Sequence, residues 1–152
     1  MTNRERGPSR IIVQALVQAT EDEEKVKKAV FNLFPEEVQE EVRFEQKRLR
    51  GHFHNPIIHL EAKLVHRGYV MQTLSSLADR LPTIERQKLQ DTFETRIDHK
   101  GQLFLRFDKQ ESYQGRLRLI NQGDSLRFVI RFAGSKQTLT EIQSHCQELN
   151  LL

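Results

Sequence analysis

The octapeptide Asp108-Lys109-Gln110-Glu111-Ser112-Tyr113-Gln114-Gly115 places an ammonium, two carboxamides and a phenol between two stretches that alternate apolar residues with arginine. Lysine, glutamine and the flanking arginines donate hydrogen bonds, and the lysine and arginines carry positive charge, so the chemistry on offer is the holding of an anionic partner. Gly115 suits the end of such a bend, because it accepts backbone angles that other residues avoid. The plain alternative is a polar hairpin connection between two strands.

Other groupings could do different chemistry. Asp98, Asp108 and Glu111 could gather as carboxylates for metal-assisted phosphodiester cleavage, although Asp98-His99-Lys100-Gly101 reads more simply as a turn. His52-x-His54, with His59 nearby, could bring imidazoles together, but no C-x-x-C or H-E-x-x-H spacing accompanies them. His52 and Phe53 could instead stack on a base. Cys146 follows His145 directly, and neighbouring residues of a helix point in different directions, so Cys146 reads as core. The expectation is a protein that is not an enzyme and holds no metal or cofactor.

The elements that must position these residues follow from periodicity. Residues 10–19 alternate as a strand, with Ile11, Val13, Ala15, Val17 and Ala19 on one face. Thr20-Glu21-Asp22-Glu23 has the pattern of a capping box, and Val26, Ala29, Val30, Leu33 and Phe34 form a helical stripe that Pro35 closes. Residues 42–50 and 57–64 read as strands around a turn-rich loop. Helices are expected over 69–81 and 83–96, the second anchored by Ile84, Leu89 and Phe93. Strands follow near 102–108, 114–120 and 124–132, and a helix over 138–149 carries Leu139, Ile142, Cys146 and Leu149. This order predicts a single α+β domain over residues 10–152, after a flexible leader at 1–9. Its sheet is mixed and largely antiparallel, with helices packed on one face.

The other face of that sheet carries the functional argument. Alternation in the last three predicted strands puts Arg106, Arg116, Arg118, Arg127 and Arg131 away from the helices, together with Phe104 and Val129. Arginine presents a planar fork of donors suited to phosphate, and an aromatic among cations adds a stacking surface. The competing reading is a solvated face whose arginines pair with Glu61 or Glu45 on neighbouring strands.

Charge placement agrees with an anion-binding face. The chain has 152 residues, 24 basic and 21 acidic, for a net charge of +3. Residues 102–132 hold six bases against three acids, and the rest balances at 18 against 18. The hydrophobic share of 37% supports a core in one domain. No apolar run reaches the length of a membrane span, and a lone cysteine fits a reducing cytoplasm.

Three groups of residues, in this order, carry a family resemblance: Ala19-Thr20-Glu21-Asp22-Glu23 entering a helix, Gly51 through Asn55-Pro56-Ile57 entering a strand, and Arg96-Ile97-Asp98 ahead of Asp108-Lys109-Gln110 and Tyr113-x-Gly115. Over residues 10–132 the chain resembles the archaeal RNA-binding family described as a predicted exosome subunit. Glu111 and His54 depart from its pattern, which has small residues there. The resemblance implies a fold like that of the ribosomal protein that binds 5S ribosomal RNA, and an RNA-binding role linked to RNA processing or degradation. It also implies exosome or other RNA-processing proteins as partners, and a homodimer. The candidate RNA contacts are then Arg106, Lys109, Gln110, Arg116, Arg118, Arg127 and Arg131, with His52 and Asn55 from the loop between the second and third strands. A protein-interaction or dimerisation subunit that does not touch RNA is the alternative, and a metal-dependent nuclease a further one.

Overall fold

In the computed structural model, which describes residues 4–51 and 55–152, β1 (Pro8–Val17) is the central strand of a five-stranded sheet. The other strands are β2 (Arg43–Arg50), β3 (Pro56–Leu64), β4 (Leu103–Asp108) and β5 (Ser125–Phe132). Their order across the sheet is β2-β3-β1-β5-β4, and every pair is antiparallel, so the sheet is not mixed as expected. β1 begins at Pro8, inside the stretch expected as a leader, and Arg6 just before it pairs with Glu141 at 2.8 Å.

Register explains which residues share a face. Val13 lies opposite both Ala62 and Phe128, so Phe44, Ala62, Val13, Phe128 and Leu105 form one row across all five strands. This row belongs to the core. Helices α1 (Glu23–Phe31), α2 (Arg67–Arg80), α3 (Thr83–Thr92) and α5 (Leu139–Glu148) add Val26, Val30, Val70, Leu74, Leu77, Leu89, Ile142 and Cys146 to the same cluster. Apolar residues on one face of every strand and one stripe of every helix therefore meet in a single interior.

Two local expectations are corrected. Thr20 does not cap α1. Asp22 does, accepting the Glu24 amide at 3.0 Å, while the Glu21 carboxylate is taken by the Gln18 amide and Lys109. A reciprocal capping box instead starts α5, between Thr138 and Glu141. Ile84 is 66% exposed on α3 and anchors nothing, whereas Leu89 and the following Phe93 are buried.

The largest correction concerns residues 108–120. Asp108 accepts the Glu111 amide at 2.9 Å and starts a short helix, α4 (Lys109–Tyr113), so the bend is a helical turn. Gly115 follows it with φ +81, the left-handed geometry that ends a helix. Residues 114–120 are not a strand. They run along the outer edge of β4 as a strap, held by Asp108 N–H to the Arg118 carbonyl and Ile120 N–H to the Arg106 carbonyl, both at 2.9 Å. The Leu119 amide turns to the buried Glu85 carboxylate at 2.7 Å instead of a further strand. A side chain has taken the donor that ladder pairing would have used.

Candidate nucleic-acid interface

The face of the sheet away from the core has its own row. Glu45, Glu61, Gln14, Arg127 and Arg106 lie side by side from β2 to β4. Two glutamates occupy one end, two arginines the other, and a neutral glutamine separates them. With neighbouring strands roughly 4.8 Å apart, Glu61 and Arg127 are about 10 Å apart across the sheet. The glutamates have a nearer cation: Lys63 reaches Glu45 at 3.4 Å and Glu61 at 3.6 Å. The acids expected to neutralise the arginines are therefore engaged elsewhere.

Arg106 and Arg127 are directly opposite in register, and neither forms an ion pair among the described residues. Arg127 stacks its guanidinium over Phe104 at 4.2 Å, a cation–π contact, and donates to the Gln14 carboxamide at 3.3 Å. Its Nε is buried without a hydrogen-bond partner. Among the described residues Arg106 has only a long contact to the Ser125 hydroxyl at 3.5 Å. Two like charges held side by side with donors to spare favour an anion between or above them.

Cavities lie on both sides of this pair. One, of about 490 Å³, includes Gln14, Leu16, His59, Asp124 and both arginines in its lining. The other, of about 440 Å³, lies at the β4 edge and is lined by the same two arginines with Phe104, Arg96, Asp98 and Asn121. Arg106 and Arg127 are the shared wall of a groove that crosses the face.

The other candidates scatter. Arg131 is exposed on β5, opposite Arg10, on the same face as Arg127. Arg116 and Arg118 lie on the strap, where both line a cavity with Arg80 and Glu85 of the helical layer. Arg116 is also engaged by Glu111 at 2.6 Å, and this hydrogen bond holds the Glu111 carboxyl below its usual range. The five-arginine row expected from alternation is thus divided between two surfaces.

Lys109 is placed quite differently from an anion-binding lysine. It is 8% exposed, and its ammonium donates to the Leu16 carbonyl at 2.8 Å, Glu21 at 3.0 Å and Asp124 at 2.6 Å. All its donors are in use within the fold. Gln110 is exposed and shares a cavity of about 360 Å³ with Thr20, Lys25 and Tyr113. Lys28 sits over the Tyr113 ring at 4.8 Å. The Thr20-Glu21-Asp22 and Lys109-Gln110-x-x-Tyr113 motifs, distant in sequence, therefore meet in one corner of the fold. Asn55 is exposed before β3, its carbonyl accepting the Gly51 amide at 2.8 Å, and His52 lies outside the described residues, as does His54.

The carboxylate constellation does not assemble. Asp98 accepts the Lys100 and Gln102 amides at 2.9 Å, Asp108 caps α4, and Glu111 faces Arg116. Among the described residues, no three histidine, cysteine or acidic side chains gather as metal ligands. His145 is buried, stacked on Phe132 and 3.0 Å from the Gln137 carboxamide, beside a Cys146 thiol that burial pushes up to about 12. No helix of the described residues is long and apolar enough to cross a membrane.

Two features of the interface lie outside what the sequence suggests. Arg96, at the end of the 3-10 turn after α3, is only 9% exposed and enters the cavity at the β4 edge. β2 carries Arg43, Lys47, Arg48 and Arg50 against one acid, Glu45, and all five are exposed. A charge balance taken over the whole remainder of the chain averages this local excess away. Alternation puts Arg43 and Lys47 on the arginine-bearing face, opposite Lys63 and His59.

An all-antiparallel sheet, helices on one face and unpaired arginines lining a groove on the other, defines an α+β protein with a surface suited to an anion. The chain belongs to the family described as RNA binding, whose pattern it matches over residues 10–132. It is 34% identical to the RNA-binding protein PAB1135 of Pyrococcus abyssi over 117 residues, covering 76% of this chain and 75% of that one. It is also 30% identical to the protein MJ0213 of Methanocaldococcus jannaschii, covering 80% and 83%. Among solved structures, protein AF2318 of Archaeoglobus fulgidus superposes with a TM-score of 0.79 at 29% identity, covering 93% of this chain and 99% of that one. The Methanothermobacter thermautotrophicus protein Mth689 gives 0.73 at 26% identity, covering 94% and 98%.

Proposed function

We propose that this chain binds single-stranded RNA across the open face of its sheet and performs no chemistry on it. The observation that carries this reading is the pair Arg106 and Arg127, adjacent in register, without carboxylate partners among the described residues, and forming the common wall of two cavities. Guanidinium forks suit backbone phosphates, the Arg127 guanidinium lies on the Phe104 ring, and His59 adds a surface on which a base stacks. Arg10, Arg131, Arg43 and Lys47 extend positive charge along the same face. A double helix presents its phosphates on a convex surface, while a groove with walls of side chains accommodates a single strand.

Family membership supports RNA as the polyanion. The further elements of the proposal are a place near RNA processing or degradation, with exosome or other protein partners, a homodimer and a fold kinship with the 5S-binding ribosomal protein. These rest on the family resemblance carried by the Asp108–Gly115 and Arg96–Asp98 motifs.

Filter binding or fluorescence anisotropy with short single-stranded and hairpin RNAs at low and moderate salt tests the reading. Binding that weakens steeply with salt and favours the single strand is expected. No retention of any RNA at low salt would overturn it.

A further inference from the structure

The cavity at the β4 edge has a composition that the rest of the groove lacks. Arg96, Arg106 and Arg127 all line it, and none forms an ion pair among the described residues. Arg96 is held in place by its Nε–H bond to the Thr92 hydroxyl at 2.7 Å and by a bond to the Asn121 carboxamide at 3.2 Å. Burial, and then repulsion from Arg106, lower the Arg96 guanidinium from its ordinary pKa, so the cation sits where an added anion would relieve it. Asp98 is the acidic residue of the lining, and one of its oxygens is occupied by the Lys100 and Gln102 amides.

Position in the sheet adds a direction. β4 is the edge strand, and the lining beyond it comes from residues 92–98 and Asn121, joined by the Arg96–Asn121 bond. A strand of RNA crossing from the β1 side over Arg127 and Arg106 therefore meets residues 92–98 and Asn121 at the margin of the sheet. Three guanidiniums also exceed what one internal phosphodiester, with a single negative charge, can neutralise. A phosphomonoester carries up to two charges and three free oxygens.

We propose that this cavity receives the terminal phosphomonoester of a single-stranded RNA, so that the protein distinguishes phosphorylated ends from hydroxyl ends. The proposal rests on the RNA-binding reading above and specifies which part of the molecule is recognised.

The test uses one short single-stranded RNA in three forms: hydroxyl at both ends, a 5′-phosphate, or a 3′-phosphate. Anisotropy with the full chain should show one phosphorylated form binding about tenfold tighter than the hydroxyl form, the scale of one charge-assisted hydrogen bond. Which arm is favoured identifies the end. Arg96→Gln should bring the ratio between phosphorylated and hydroxyl-ended RNA close to one. Should that variant fail to fold, competition on the unaltered chain decides the matter: the matching nucleoside monophosphate should displace the phosphorylated RNA, and the nucleoside should not. Equal binding of all three forms, or equal competition, would overturn the end-recognition proposal and leave RNA binding standing. Absence of binding by all three would overturn the RNA reading itself.

Discussion

Arg106 on β4 and Arg127 on β5 stand directly opposite one another in register, two cations on adjacent strands that no carboxylate of the described residues pairs with. Like charges in that position destabilise a sheet, and ordinary sheets avoid them. Here Arg127 is steadied by Phe104 beneath it and Gln14 beside it, while the nearest acids of the row are held by Lys63. An arrangement that costs stability when empty gains when an anion fills it.

That relationship gives a quantitative expectation. Arg106→Gln combined with Arg127→Gln should weaken RNA binding and flatten the dependence of log K on log salt, by about 0.7 for each phosphate of the single strand that is no longer neutralised. Arg116→Gln, which removes a guanidinium already engaged by Glu111 on a different surface, should leave the slope where it was. Titrations at several salt concentrations measure both, and an unchanged slope in the double variant would refute the assignment.

Lys109→Met should act on stability rather than on phosphate contacts. It leaves the Leu16 carbonyl, Glu21 and Asp124 without their shared donor. Because Asp124 is half exposed and Glu21 partly so, the expected loss is about 1–3 kcal/mol, below that of a fully buried pair. Urea denaturation reads the loss, and the salt slope of RNA binding should be that of the parent. A variant of parental stability would show that the lysine is not structural.

Glu85→Ala should loosen the strap. The carboxylate accepts the Leu119 amide at 2.7 Å in a buried setting, and its removal leaves that donor unpaired at a cost of about 1–3 kcal/mol. Hydrogen exchange should accelerate at Leu119 and Ile120 more than in β1. Uniform acceleration throughout the sheet would argue against a local role.

Cys146 supplies a pH prediction. Burial raises its thiol from 9.0 to about 12 in the folded protein. Between those values the unfolded state has lost the proton that the folded state keeps, so stability falls as pH rises above about 9. At pH 8 the folded thiol should resist alkylation and react promptly in denaturant. Rapid labelling of the native protein would place the thiol outside the core.

Much of this fold is legible in the chain. Period-two placement of buried residues in 10–17, 57–64, 103–108 and 125–132 announces four strands, because each turns one face to the core, although Ile12 and Val129 break the alternation by being buried as well. It fails at 114–120 for a physical reason. Leu117 and Leu119 are buried, as alternation requires, but the backbone partner of Leu119 is the carboxylate of Glu85, more than thirty residues earlier. Periodicity reports burial and is blind to which group accepts the hydrogen bond. Lys109 shows the same limit: type and neighbours suggest an outward cation, and only long-range contacts to residues 16, 21 and 124 turn it inward. Arg96 stands out in the sequence only as part of the Arg96-Ile97-Asp98 motif, because a single arginine at the end of a helical pattern carries no local sign of the cavity it enters.

The inward turn of Lys109 reaches the groove after all. Leu16 and Asp124, two of the groups it ties together, belong to the lining of the cavity beside Arg106 and Arg127. The lysine fixes that wall in position before any ligand arrives, so the ordering entropy of those segments is spent during folding rather than at the moment of binding. A cation that never touches the nucleic acid thereby raises affinity through preorganisation.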